Sequence, residues 1–157
     1  MKLDKDTVFK VKNFTSSMPV IHTIAKIEEL LSKIGAMHIE KFYDAGIPIG
    51  IIFSIMYNEN PLSFKIPANI KSAEKLLREI SMYRKKGTSF LEAQAARTAW
   101  KLVYNWIEIQ VNMIKLEQAE ALQIFMPYVY DKALNKTLYQ HLSETNFRMI
   151  GSGKEAK

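Results

Sequence analysis

The stretch that decides the fold is residues 36–67, AMHIEKFYDAGIPIGIIFSIMYNENPLSFKIP. Its apolar residues recur with period 2. Ile51, Phe53, Ile55 and Tyr57 alternate on one face, and Leu62, Phe64 and Ile66 repeat the pattern with Ser63 and Lys65 outward. MHIEKFY, IGIIFSIMY and LSFKI therefore read as three strands, separated by the turn segments DAGIP and NENP. Connections this short favour antiparallel hairpins over crossovers, so the expectation is a meander with one apolar face that needs a cover.

On either side of this stretch the period changes to 3.6. Upstream, Ser16 and Ser17 precede Met18-Pro19, a helix-start pattern, and Ile21, Ile24, Ile27, Leu31 and Ile34 form an apolar stripe that stops at Gly35. A helix is expected over residues 18–34. Before it, residues 7–12 (TVFKVK) suggest a short edge strand that would make a fourth. Downstream, Asn69 is positioned to cap a helix over residues 70–82 with Ile70, Ala73, Leu77 and Ile80 inward. Ser89-Phe-Leu-Glu92 reads as a capping box opening a long helix. Along that helix Ala96, Trp100, Val103, Ile107, Val111 and Ile114 form one stripe, and Leu102, Trp106, Ile109, Met113 and Leu116 a second beside it. Nothing breaks the pattern until Phe125, before Met126-Pro127. A short helix over residues 137–144 and a flexible tail from residue 148 complete the expectation. The fold class is α+β: a three- to four-stranded antiparallel meander packed against an N-terminal helix and a long C-terminal helix.

At 157 residues, 48% apolar and 24% charged, the chain is expected to be one domain with its own core. It contains no cysteine, which removes a disulfide frame, a thiolate metal site and a thiol nucleophile. The longest run without Asp, Glu, Lys or Arg is residues 45–58, interrupted by Gly46, Pro48 and Gly50, so no membrane span is expected. The N-terminal MKLDKDTVFKVK mixes acids and bases without an apolar leader core, and a cytoplasmic location is expected.

Catalytic and metal constellations are not found. His22, His38 and His141 are far apart, with no i, i+4 ligand partner among them. No serine stands in a G-x-S-x-G elbow. Gly151-Ser-Gly-Lys154 lacks the first glycine of a phosphate loop, and Glu155 stands where a magnesium-binding Ser or Thr belongs. Glu28-Glu29 and Glu117/Glu120 read as solvated helix faces. The sequence therefore predicts no catalytic residue, no metal and no cofactor.

What the sequence does concentrate is positive charge. Residues 65–101 hold Lys65, Lys71, Lys75, Arg78, Arg84, Lys85, Lys86, Arg97 and Lys101 against Glu74, Glu79 and Glu92, an excess equal to the +6 of the whole chain. If the two helices of this segment pack side by side, Lys71, Lys75, Arg78, Arg84, Lys85, Lys86, Arg97 and Lys101 converge on one belt, with Tyr83 as a candidate stacking ring. A cationic track with an aromatic platform is how single-stranded nucleic acid is bound without sequence preference. The alternative use of such a patch is docking of an acidic protein partner. The second apolar stripe of the long helix exceeds what a small sheet can cover, so a homo-oligomer, most simply a dimer, is expected.

The order of motifs also carries a resemblance. A helix ending Lys-Ile-Gly35-Ala36 leads to a meander closing on Ile66-Pro67. The helix with Ala99-Trp100-Lys101 runs through Ile107-Glu108 to Glu117, then come Phe125-Met126-Pro127-Tyr128 and Lys136-Thr137-Leu138-Tyr139. Over residues 18–150 this resembles a family of small uncharacterised proteins of phages, prophages and bacteria. The resemblance concerns fold-determining residues and assigns no functional residue. It implies a mobile-element setting, in which small accessory proteins serve DNA replication or recombination, or act against host defences.

Overall fold

A computed structural model of the chain describes residues 11–151. The meander is present as β1 (His38–Asp44), β2 (Ile47–Tyr57) and β3 (Asn60–Pro67), an antiparallel sheet in the order β1-β2-β3. Each hairpin closes on two residues at positive φ, Ala45-Gly46 (+48°, +79°) and Asn58-Glu59 (+47°, +65°), the handedness that matches strand twist. The register pairs Ile51 with Ile66, Phe53 with Phe64 and Ile55 with Leu62, which puts the alternating apolar set on one face. Between Phe42 and Tyr43 the register slips past Ile49, so Pro48 sits at a bulge, where a strand tolerates it. Phe42 lies across Gly50. A Cβ there would meet the ring at 2.1 Å and the Ile66 carbonyl at 2.7 Å, so only glycine fits.

The cover is helical: α1 (Val20–Ser32), α2 (Ile70–Glu79) and α3 (Thr88–Lys115), with α1 and α2 both packed on α3. Ile24, Ile27 and Leu31 of α1 join Leu91, Trp100, Ile107 and Val111 of α3 and the apolar sheet face in one core. Trp100 is fully buried, and its indole N–H donates to the Pro48 carbonyl (2.9 Å), locking α3 to the bulge. The remaining elements are α4 (Ala121–Phe125), a hairpin of β4 (Tyr130–Asp131) and β5 (Lys136–Thr137), α5 (Leu138–Glu144) and α6 (Arg148–Gly151). Among the described residues no helix is long and apolar enough to cross a membrane.

Four local expectations are corrected. Neither Ser16 nor Ser17 caps α1, whose N-cap is Pro19; the Ser16 carbonyl is instead taken by side chains of α3. The Ser89-Glu92 box does not form, because α3 already starts at Thr88 with Gly87 as its N-cap. The long helix stops ten residues early. Its last turn closes with Glu117 N–H on the Ile114 carbonyl and Gln118 N–H on that of Met113, a Schellman end with Glu117 at φ +56° where glycine is usual. The turn brings Phe125 back against Phe53, Phe64 and Trp106. The expected N-terminal strand is not among them, since it lies outside the described residues except for Val11 and Lys12, which are not in a strand. Residues 148–151 of the expected tail are helical.

Candidate nucleic-acid interface

The basic segment begins on α2. The Asn69 side chain accepts the Ser72 N–H (3.1 Å) and fixes the helix start, while Ile70, Ala73 and Leu77 are buried. That orientation leaves Lys71, Lys75 and Arg78 exposed, spread over about 10 Å at 1.5 Å rise per residue. Two of the three have carboxylate neighbours: Arg78 pairs with Glu74 one turn back, and Lys71 lies 3.6 Å from Asp44 of the β1–β2 hairpin. Both pairs are solvated and weak, at about 0–1 kcal/mol each. Lys75 has no ion pair among the described residues.

Ile80 is extended and ends α2; a single 3-10 turn, Ser81–Tyr83, follows. Here the expectation of Tyr83 as a stacking ring is overturned. Tyr83 is 4% exposed, its hydroxyl donates to the Phe14 carbonyl (2.7 Å), and its ring meets that of Phe14 edge-on at 6.4 Å. Burial pushes its hydroxyl above the ordinary tyrosine pKa, with Arg97 offsetting part of the rise. The next three residues face the other way. Arg84, Lys85 and Lys86 are all exposed and have no carboxylate partner among the described residues. They run directly into the N-cap of α3. The exposed ring of this region is Phe90, in the first turn of α3, with the Lys86 ammonium 5.2 Å above it.

The end of the segment departs from the belt. Arg97 is half-buried, and its guanidinium donates to the Ser16 carbonyl (3.2 Å) and to Oε1 of Gln94. Gln94 in turn donates to the carbonyls of Phe14 (2.9 Å) and Ser16 (3.1 Å). Arg97 thus belongs to a network that ties the N-terminal segment to α3. Lys101 lies 4.3 Å from the centre of the Tyr104 ring, with Lys26 of α1 at 6.0 Å from the same ring. Tyr104 donates to Glu108 (2.7 Å), and this bond holds its own pKa up. A small cationic cluster therefore forms at the α1–α3 seam, with Lys26 as a member that the sequence reading did not include. Spacing along one helix cannot show a lysine arriving from another.

Lys65, at the start of the segment, also serves the fold. Its ammonium lies 4.5 Å from the Phe42 ring centre and 4.8 Å from that of Tyr130, and it donates to Asn135 (3.5 Å), pinning the β4–β5 hairpin beside β3. His22, His38 and His141 are exposed on α1, β1 and α5, three separate elements.

What this surface offers chemically is a short track of cations beside one exposed ring. Comparison of the chain with protein-family models, with curated proteins and with solved structures finds no match.

Proposed function

We propose that the protein is a non-enzymatic accessory protein that binds nucleic acid non-specifically through its phosphate backbone, using the surface from α2 to the start of α3. The observation that carries this is the set Lys75, Arg84, Lys85 and Lys86, four exposed cations without a carboxylate partner among the described residues. Uncommitted cations cluster where a polyanion is to be met, since forming the contact breaks no existing ion pair and releases condensed counterions. The reading fits the cytoplasmic location expected from the sequence, and the mobile-element setting that the resemblance implies.

The test is titration of an oligonucleotide at several salt concentrations. Four phosphate contacts on a single strand, at about −0.7 each, give a log–log salt slope near −3. Changing Arg84, Lys85 and Lys86 together to Ala should reduce it to about −1. Absence of binding by the wild-type protein at low salt refutes the reading, and retention of an acidic protein by the same patch would then support the alternative partner.

A second copy of the chain is proposed on the outer stripe of α3. Leu102, Ile109 and Leu116 recur every seven residues and are 44%, 54% and 69% exposed. An apolar seam of this kind is buried when two such helices pair. Light scattering that returns the monomer mass of 18.1 kDa at micromolar concentration removes this part.

A further inference from the structure

Phenylalanine is among the residues most often buried, yet Phe90 is 43% exposed while its neighbour Leu91 is 1% exposed and fills the core beneath. What holds Phe90 is Tyr83: the rings are 6.1 Å apart and tilted by 38°, and Tyr83 is itself fixed by its bond to Phe14. The Lys86 ammonium stands 5.2 Å from the ring centre, and Arg84 and Lys85 are exposed in the same loop. The ring is thus rigidly backed, open to solvent, and beside three cations that have no carboxylate partner among the described residues. We infer that Phe90 is the platform on which one unpaired base stacks, and that the surface consequently prefers single strands to duplex. This rests on the nucleic-acid reading above and goes beyond it.

The physical case follows from where bases are accessible. In a duplex both faces of every base are covered by its neighbours, so a protein ring at the surface gains nothing from them. In a single strand a base can leave its neighbours and lie on an aromatic face while the adjoining phosphates meet nearby Lys and Arg. Lys86 now occupies the space over Phe90 by cation–π attraction, worth little at an exposed site. Its flexible stem lets the ammonium swing to a phosphate as a base takes its place. Tyr83 supplies support for the platform rather than the platform.

The test separates stacking from charge. Fluorescence anisotropy at low salt would use oligothymidylate of about 20 nucleotides, longer than the roughly 4–16 that a small domain covers. The control is an abasic strand with the same number of phosphates. Wild type should bind oligothymidylate more tightly than the abasic strand. Phe90→Ala and Phe90→Leu should each lose about five- to 150-fold on oligothymidylate and nothing on the abasic strand. If Phe90→Ala loosens the fold, Phe90→Leu carries the test, because it keeps the apolar bulk against Tyr83 and removes only the π face. Full affinity of folded Phe90→Leu for oligothymidylate overturns the inference. Equal wild-type affinity for the two strands overturns it too, leaving phosphate binding intact. No binding to either strand overturns both readings.

Discussion

Residues 71–86 and residues 97–101 look alike in the sequence, two cationic stretches on neighbouring helices, yet the fold treats them differently. In the first, side chains point away from a core of Ile70, Ala73 and Leu77, and Lys75, Arg84, Lys85 and Lys86 meet no carboxylate among the described residues. In the second, both cations are half-buried: Arg97 donates to the Ser16 carbonyl and Gln94, and Lys101 lies against the Tyr104 ring. A cation counted in the sequence is open to a ligand where the fold leaves it exposed and without a carboxylate or carbonyl to bond. The same contrast separates the two aromatic residues, Tyr83 turned into the core and Phe90 left on the surface.

Substitutions on either side of this divide should differ in their effect on folding. The largest belongs to Trp100, between Arg97 and Lys101 on the inner side of α3. Trp100→Ala should cost about 3–5 kcal/mol, through the cavity it leaves and the Pro48 carbonyl it abandons, measured as a fall in urea midpoint. An unchanged midpoint would mean that this part of α3 is not the anchored half.

Gln94→Ala comes next. It withdraws an N–H donor from the Phe14 and Ser16 carbonyls and an acceptor from Arg97, for about 1–3 kcal/mol. Salt slopes of oligonucleotide binding should not change, since Gln94 and Arg97 lie in the structural half. A flattened slope would return Arg97 to the interface.

Tyr83→Phe should cost about 1 kcal/mol at neutral pH for one hydrogen bond. Its pH dependence has a definite sign. The folded-state pKa of Tyr83 is raised, so its stabilisation is complete below the unfolded value near pH 10 and is lost as pH rises through the folded value. The gap between wild type and Tyr83→Phe should therefore narrow in strongly alkaline solution, read by denaturant melts across that range. A gap that widens there would mean that Tyr83 is not held neutral by burial.

The smallest effect on folding is expected from changing Arg84, Lys85 and Lys86 together to Ala. Stability should stay within about 0.5 kcal/mol, because all three are exposed and without a carboxylate partner among the described residues, while the salt slope flattens. A large drop in melting temperature would show that this loop, too, is committed to the frame.

Much of the architecture was legible because it is written in local periods. Alternation placed Ile51, Phe53, Phe64 and Ile66 on one sheet face, and a 3.6 period placed Ile24, Ile27 and Leu31 on one side of α1. Gly35 marked the end of α1, where it adopts φ +88° and the Ala36 N–H closes on the Leu31 carbonyl. The end of α3 uses the same hydrogen-bond pattern around Glu117, and without a glycine it could not be seen. What turns the chain there is distant: the pocket that Phe53, Phe64 and Trp106 offer to Phe125.

The candidate interface divides along the same line. Composition and spacing located the segment, placed Lys71, Lys75 and Arg78 on the outer face of α2, and left Arg84-Lys85-Lys86 in a loop. They did not distinguish Tyr83 from Phe90, or Arg97 from Lys75. That choice is made by the N-terminal segment, whose Phe14 carbonyl reaches Tyr83 across 69 residues and whose Ser16 carbonyl reaches Arg97 across 81. A partly buried carbonyl without a donor costs about 1–3 kcal/mol, so the side chains that can reach one are drawn inward whatever their local spacing suggests. The periods, the turns and the location of the excess charge are thus local properties of the chain. Which cations and which ring are left over for a partner is settled by packing, because it depends on backbone groups far away along the chain.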